Sequence, residues 1–242
     1  MQPEIRGVLF DKDGTLLDFQ RTWIPVSRRC AERVARTSAD LPLLLAASGH
    51  DPHTDQFVPG SPMVAGTAVD VARVYAAVLQ DGRSIEALTE IVDGTFLEVA
   101  GGVAIPVDGL DAVIRELHAA GHQLGVATSD NTASAEAALK TLALRQCFAF
   151  VCGYDAGFGG KPGPGMVHGF CAATGLPPSA VAVIGDSTHD LHMARAAGAG
   201  LAVGVLTGPA TRADLEGDAD VVLRSVAELP GWLRRRSLSA PA

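Results

Sequence analysis

Two aspartates separated by one residue, Asp11 and Asp13, follow the apolar stretch 5–10, which predicts a short buried strand. Side chains alternate along a strand, so residues i and i+2 point the same way and these two carboxylates can face one reaction centre. One could attack as a nucleophile while the other exchanges a proton with the leaving group. Asp13-Gly14 is also an ordinary turn signal, so this motif alone leaves both interpretations open.

Three further polar positions come at the ends of predicted strands, in order along the chain. They are Thr128 after the strand 123–127, Lys161 in the glycine-rich loop after the strand 148–152, and Asp186 after the strand 181–184. In a parallel α/β sheet, the reaction site lies beyond the carboxyl ends of the strands. All four motifs are therefore expected at one edge of one sheet.

The motifs in this order resemble those of the haloacid dehalogenase-like superfamily of phosphotransferases. DKDGT at 11–15 matches the first motif, Thr128 the second, Lys161 the third and GDSTHD at 185–190 the fourth. Within the superfamily, the chain looks like the phosphoglycolate phosphatase group. The resemblance implies a doubly wound parallel α/β sheet, a Rossmann-like core. It also implies a Mg²⁺-dependent phosphatase that hydrolyses a small phosphorylated metabolite through an aspartyl-phosphate, with 2-phosphoglycolate as the candidate substrate.

The candidate residues divide the work of phosphoryl transfer, which is mostly positioning and charge compensation. Asp11 is expected to be the nucleophile, and Asp13 the acid that protonates the leaving oxygen and later takes a proton from water. Lys161 would pair with the phosphoryl group and the nucleophile. Thr128 would donate its hydroxyl to a phosphoryl oxygen, or cap the next helix, or both. Ser129 beside it is a second substrate contact, and it lacks the His/Asp relay that serine hydrolysis needs.

Mg²⁺ is the expected cofactor, because a hard cation prefers carboxylate oxygens and water. Asp11 and Asp186 are its expected side-chain ligands, and the resemblance adds the backbone carbonyl of Asp13. Asp190 lies four residues after Asp186, so both face one side if a helix begins there. Asp190 is therefore expected either to support the metal from outside its ligand shell or to orient Lys161.

Other functions remain open on the same residues. Dehalogenases of the superfamily need neither a second acid nor a metal, so Asp13 and Asp186 favour phosphate esters. Sugar-phosphate mutases share every core residue named above, and their distinguishing contacts lie in the inserted segment, where no decisive pattern is present. A non-catalytic binding protein on this fold is a further alternative, and the complete set of polar residues argues against it.

The segment between the first motif and Gly109 interrupts the alternation of strands and helices. It is predicted to form helices over about 20–37, 62–79 and 84–99. We therefore predict an inserted α-helical cap over 17–105, and an α/β core over 1–16 and 106–242.

Four details of the segment boundaries are also predicted. Ser84 is expected to cap the last cap helix, and Asp108 the first helix of the core after the cap. The pair Gly101-Gly102 suits a hinge, or equally a plain helix stop. Arg21, where the chain enters the cap, is a candidate to bind an anionic group of the substrate, although a solvated arginine at a helix start has the same pattern.

The composition narrows the class of partner. The chain has 242 residues, enough for a core domain and a smaller one, with 27 acidic and 19 basic residues. This balance argues against nucleic acid, because a phosphate backbone needs a basic face. The four cysteines show no C-x-x-C pairing and are expected to be buried, reduced thiols. Without a signal-peptide pattern or an apolar run of membrane-spanning length, we expect a cytoplasmic monomer or homodimer without membrane contact.

Overall fold

The computed structural model describes residues 4–238, without the side chains of residues 99–103 and 237–238. The described strands are β1 (Gly7–Phe10), β2 (His50–Asp51), β3 (Gln56–Phe57), β4 (Gln123–Ala127), β5 (Phe150–Cys152), β6 (Val181–Gly185), β7 (Leu201–Val205) and β8 (Val221–Leu223). Six of them form one parallel sheet in the order β5-β4-β1-β6-β7-β8, and β2 pairs with β3 in a separate antiparallel ribbon. The strand β1 therefore lies inside the sheet, between β4 and β6.

The described helices connect these strands. They are α1 (Phe19–Val34), α2 (Asp40–Ser48), α3 (Pro62–Ala65), α4 (Ala68–Leu79), α5 (Ile85–Val103), α6 (Leu110–Ala119), α7 (Thr132–Thr141), α8 (Gly165–Thr174), α9 (Thr188–Ala197), α10 (Arg212–Leu215) and α11 (Leu229–Leu238). None of the helices in the described part of the chain combines the length and the apolar composition needed to cross a membrane.

The two faces of the sheet bury different side chains, because residues alternate along each strand. Val8 and Phe10 of β1 belong to a core that α6 and α11 cover. Leu9, between them, belongs to a core on the opposite face, which α8 and α9 cover. Helices on both faces of a parallel sheet make this a doubly wound α/β fold, and the predicted fold class is confirmed.

The helices α1 to α5, with the β2–β3 ribbon, are inserted between β1 and β4 and form the helical cap. They bury a core of their own, in which Trp23, Tyr75, Leu88 and Phe96 are almost completely inaccessible to solvent. Each helix presents an apolar face to the others, so the insert does not depend on the sheet for its hydrophobic core.

The first cap helix is shorter than predicted, and it is followed by a helix, α2, that the sequence pattern does not predict. The helix predicted over 20–37 ends at Val34, because Ala35 takes an extended conformation with ψ at 140°. Asp40 then accepts hydrogen bonds from the backbone N–H groups of Arg36 and Thr37 at 2.9 and 2.8 Å. These bonds fix the turn before α2, so a local bond between a side chain and the backbone overrides the apolar pattern.

The helix predicted over 62–79 is two helices. After Ala65 the chain becomes extended, and Thr67 and Asp70 form a capping box that starts α4. The Thr67 N–H and hydroxyl both donate to the Asp70 carboxylate at 2.9 Å. A new N-terminus with its own cap replaces a continuous helix here.

The boundaries of α5 and α6 confirm one prediction and correct two. Ser84 caps α5 as predicted, accepting a hydrogen bond from a backbone N–H in its first turn. The helix runs through Gly101-Gly102 to Val103, so the glycine pair is not a helix stop. Asp108 does not cap α6; the N-cap is Gly109, whose φ of 78° lies in the left-handed region that glycine adopts readily.

The third strand is shorter than predicted. The prediction of 148–152 is wrong at its start, because the Phe148 N–H donates to the carbonyl of Arg145 and closes a short 3₁₀ turn. The strand begins at Phe150. The cysteines fit their prediction, since all four are buried free thiols.

Candidate active site

The carboxyl ends of β1, β4 and β6 lie at the edge of the sheet that the helical cap covers. A narrow cavity separates this edge from the cap. It is lined by every candidate residue named from the sequence except Arg21: Asp11, Asp13, Thr128, Ser129, Lys161, Asp186 and Asp190. The fold thus brings together polar residues that are far apart in the chain.

Lys161 bridges two carboxylates in this cavity. Its Nζ lies 2.5 Å from Asp11 Oδ1 and 2.6 Å from Asp190 Oδ1, and its side chain is 3% exposed. Burial raises the pKa of the Asp11 carboxyl to about 7, although the charge of Lys161 opposes that rise. Burial would lower the pKa of Lys161, but the two carboxylates overcome it and raise that pKa. The lysine stays charged and can compensate negative charge brought to Asp11.

Asp186 completes an acidic cluster with Asp11 and Asp190. One oxygen from each lies within 4.8 Å of the others, and all three residues are buried. Burial, together with the charges of the other two carboxylates, raises the pKa of Asp186 well above its ordinary value. Lys161 brings only one positive charge to three carboxyl groups, so a hard divalent cation would be needed for all three to be ionised together. The donor set therefore fits Mg²⁺.

Two glycines make room for the Asp186 carboxylate. A Cβ atom at Gly14 would lie 2.5 Å from Asp186 Oδ2, and one at Gly208 would lie 1.7 Å from the same oxygen. The Thr207 hydroxyl donates to the carbonyl of Gly14 at 2.5 Å, which ties the loop after β7 to the first motif. None of the sequence motifs includes this loop, although Thr207 and Gly208 closely follow the strand β7.

Asp190 uses both of its carboxylate oxygens. Oδ1 accepts from Lys161, and Oδ2 accepts from the hydroxyl and the backbone N–H of Ser187 at 2.6 and 3.2 Å, the capping box of α9. A Cβ atom at Gly185 would lie 2.2 Å from this side chain, so only glycine fits there. Of the two roles considered for Asp190, this geometry matches the orientation of Lys161.

Asp13 is held by two neighbours that the sequence analysis did not connect with it. Lys12 Nζ lies 2.7 Å from Asp13 Oδ2 and 3.1 Å from Asp130 Oδ2, and its side chain is 2% exposed. Trp23 Nε1, from α1 of the cap, donates to Asp13 Oδ1 at 2.5 Å, and its ring centroid is 5.2 Å from Lys12 Nζ. Burial disfavours the charge on Lys12, but Asp13 and Asp130 outweigh that effect and raise its pKa.

Thr128 and Ser129 follow β4 and line the cavity, and Thr128 is 1% exposed. Thr128 does not cap the next helix; Asn131 does, through a 2.8 Å bond from a backbone N–H of the first turn. The Asn131 amide also donates to Asp93 of α5, which accepts a second bond from the Tyr154 hydroxyl. Because Asp93 belongs to the cap, these bonds join the cap to the core beside the cavity.

Arg21 lies outside the cavity. Its side chain is exposed and borders a separate surface depression together with Asp18 and Thr207. On α1, the residues that reach the cavity are Phe19 and Trp23, four positions apart, and Arg21 midway between them points to another side of the helix. The structure does not bring Arg21 to the other candidate residues.

The comparisons with known proteins agree with this geometry. Residues 5–198 match the family model of the haloacid dehalogenase-like hydrolases. The chain is 30% identical over 236 residues to the probable phosphatase IndB of Dickeya dadantii, covering 93% of this chain and 91% of that protein. It is 26% identical over 207 residues to the phosphoglycolate phosphatase of Salmonella typhimurium, covering 80% and 79%.

A solved structure supports the fold. CbbY from Rhodobacter sphaeroides, determined in complex with phosphate, superposes with a TM-score of 0.68 at 21% identity and covers 93% of this chain and 96% of its own. The chain belongs to the haloacid dehalogenase-like hydrolase family, and it is a phosphatase similar to the phosphoglycolate phosphatases.

Proposed function

We propose that the protein is a Mg²⁺-dependent phosphomonoesterase that hydrolyses a small phosphorylated metabolite through an aspartyl-phosphate on Asp11. The observation that carries the proposal is the position of Asp11. It is buried beside a charged lysine, with Lys161 Nζ at 2.5 Å, and within 4.8 Å of the oxygens of Asp186 and Asp190. A buried carboxylate in such surroundings has a partner for a phosphoryl group and a site for a cation.

The proposed reaction has two steps. Asp11 attacks phosphorus, the bond between phosphorus and the ester oxygen breaks, and Asp13 protonates the departing alcohol. Asp13 then takes a proton from water, which attacks the aspartyl-phosphate and releases inorganic phosphate. Lys161 pairs with the phosphoryl oxygens, and the Thr128 hydroxyl, with Ser129 beside it, donates to them.

The metal would be held by Asp11 and Asp186, with the backbone carbonyl of Asp13 as a further ligand. When bound, Mg²⁺ supplies charge compensation for the phosphoryl oxygens. Asp190 keeps Lys161 in place rather than binding the metal directly, because both of its oxygens are already engaged.

The cap has a separate task in this proposal. Residues 17–105 act as a lid on the core formed by 1–16 and 106–242, and the lid excludes water from the reaction and selects the ester. Because several relatives are named phosphoglycolate phosphatases, 2-phosphoglycolate is one of the small esters to be tested as a substrate. The acidic composition argues against a nucleic acid substrate.

A panel of phosphate esters assayed for released phosphate tests the proposal. We expect Mg²⁺-dependent release from at least one small ester, and none from the folded Asp11→Asn protein. Glucose 1-phosphate belongs in the panel, because conversion to an isomer without phosphate release would identify a mutase instead. Equal release by the Asp11→Asn protein, or none from any ester by the native protein, would refute the phosphatase mechanism.

A further inference from the structure

The cap side of the cavity is apolar and carries no charge among its described residues. Its side chains include the aromatic residues Phe19, Trp23 and Phe96, with Met63, Val64 and Val71 beside them. Trp23 and Phe96 meet edge to face, with ring centroids 4.7 Å apart. Binding to such a surface is favourable where apolar atoms of a ligand are buried against it. It is unfavourable where an ionic group of the ligand loses its hydration there.

The polar groups of this wall are already engaged. Trp23 Nε1 donates to Asp13, and the Thr67 hydroxyl and N–H both donate to Asp70. Asp70 thereby places a carboxylate at the N-terminus of α4, the end of a helix that would otherwise attract an anion. A second anion at this helix end would meet the negative charge of that carboxylate.

The lysine and arginine content of the cap provides no cation among the described residues of the cavity wall. Residues 17–105 contain no lysine. Apart from Arg21, which borders another depression, each arginine of the cap forms an ion pair with a carboxylate of the cap: Arg28, Arg29, Arg33, Arg36, Arg73 and Arg83. Among the described residues that line the cavity, the side chains able to carry positive charge are Lys161 and His189, both from the core.

We infer that the preferred substrate of this phosphatase is a phosphate monoester of an uncharged alcohol, which rests its apolar surface on the cap wall. The inference rests on the proposed function, because the phosphoryl group must occupy the site around Asp11 and Lys161. A carboxylate on the alcohol would face apolar side chains and the engaged donors of the wall. It would therefore lose hydration on the cap wall without gaining a cation from the cap. By this argument 2-phosphoglycolate is a poor substrate, although relatives are named for it.

A pair of esters of the same size tests the inference directly. 2-Hydroxyethyl phosphate and 2-phosphoglycolate differ in a neutral hydroxymethyl group against a carboxylate, next to the same phosphate-bearing carbon. We expect kcat/KM to be at least about tenfold higher for 2-hydroxyethyl phosphate. Equal values, or a preference for 2-phosphoglycolate, would overturn the inference and leave the phosphatase mechanism intact. Absence of phosphate release from both esters and from p-nitrophenyl phosphate would instead count against the proposed function.

A variant of the wall gives the converse test. Val64 is partly exposed on the short helix α3 and lines the cavity, so Val64→Lys adds a cation without removing a buried side chain. Val64→Met is the matched control, because it adds similar length without charge. We expect Val64→Lys, and not Val64→Met, to raise kcat/KM for 2-phosphoglycolate relative to 2-hydroxyethyl phosphate by about tenfold. An unchanged ratio in a folded Val64→Lys protein that still cleaves p-nitrophenyl phosphate would contradict the inference.

Discussion

The indole N–H of Trp23, in the helical cap, donates a hydrogen bond to the carboxylate of Asp13, in the core, over 2.5 Å. The two residues are ten positions apart, yet they belong to different layers of the molecule. Trp23 is also part of the cap's aromatic cluster with Phe19 and Phe96. The cap thus touches the residue proposed to move protons, so that the position of the cap and the orientation of that carboxylate depend on each other.

Replacing Trp23 with Phe should impair leaving-group protonation selectively. Trp23→Phe keeps an aromatic ring in the cluster but removes the N–H that donates to Asp13, together with part of the indole ring system. An alkyl phosphate needs its leaving oxygen protonated, whereas p-nitrophenolate departs with little help. We expect kcat on an alkyl phosphate to fall about tenfold or more, and kcat on p-nitrophenyl phosphate to change much less.

The second tryptophan of the chain supplies the control for this experiment. Trp232 lies on α11, away from the cavity, so Trp232→Phe should leave both rates unchanged. If Trp23→Phe lowers both rates by the same factor, the tryptophan supports the structure of the site in general and does not position Asp13.

Lys12 should matter for stability because it is buried and pairs with two carboxylates, the buried Asp130 and the partly buried Asp13. Lys12→Met keeps most of the side-chain volume but leaves Asp13 and Asp130 without their cation. We expect the free energy of unfolding, measured with urea, to fall by about 3–5 kcal/mol. Lys140→Met, at an exposed helix position, should change it by no more than about 0.5 kcal/mol.

A double substitution separates lost charge pairing from lost packing. Adding Asp130→Asn to Lys12→Met removes one of the two unpaired charges, so it should recover part of the lost stability. The effect of Asp130→Asn on the free energy of unfolding is measured both in the native protein and in Lys12→Met. If Asp130→Asn lowers stability equally in the two backgrounds, the two residues are not coupled through charge.

Asp11 should destabilise the metal-free protein as the pH rises. The pKa of its carboxyl is 3.8 ordinarily and about 7 in the folded protein, because burial disfavours the ionised form. Between these values the unfolded state has lost the proton while the folded state still holds it, so stability falls with increasing pH. Asp11→Asn has no such carboxyl group. In EDTA, the Tm of Asp11→Asn minus that of the native protein should therefore increase as the pH is raised from about 4 to about 7.

An exposed aspartate serves as the reference for that titration. Asp111→Asn, on the solvent side of α6, should show no such trend relative to the native protein. A difference in Tm between Asp11→Asn and the native protein that is constant or falls over this pH range would contradict the raised pKa.

The proposed metal site predicts that activity requires a divalent metal ion and that Asp186 is needed to bind it. EDTA should abolish activity, and added Mg²⁺ should restore it. Ca²⁺ should substitute poorly, because it prefers more ligands at longer distances. Mg²⁺ should also raise the Tm of the native protein and leave that of Asp186→Asn unchanged, since a cation that binds only the folded state stabilises it. Full activity in metal-free buffer would remove Asp186 from the proposed site.

The arrangement of the core was predictable from sequence because it depends on local signals. Asp11, Thr128 and Asp186 each follow an apolar run, and a parallel sheet gathers such strand ends at one edge. The family motifs predicted the same set of residues at this edge of the sheet. What a polar residue near a strand end does in detail, such as the double engagement of Asp190, depends on neighbours that folding supplies.

The cap was predicted less well, because its architecture depends on tertiary packing and on caps. The capping box of Thr67 and Asp70 divides a helix that the apolar pattern makes continuous. Arg21 was a candidate because it lies near the first motif, but two positions along a helix turn a side chain to another face. The bond from Trp23 to Asp13 joins two layers, and neither pattern nor composition indicates how the cap folds back onto the core.

The most direct test of the proposed mechanism is to trap the phosphorylated enzyme. The native protein is mixed with Mg²⁺ and a good substrate and quenched in acid within milliseconds, and its peptides are analysed by mass spectrometry. We predict a substrate-dependent mass increase of one phosphoryl group on the peptide that contains Asp11, and none in Asp11→Asn. A phosphoryl group on Ser129 instead, or continued phosphate release by the Asp11→Asn protein, would contradict the aspartyl-phosphate mechanism.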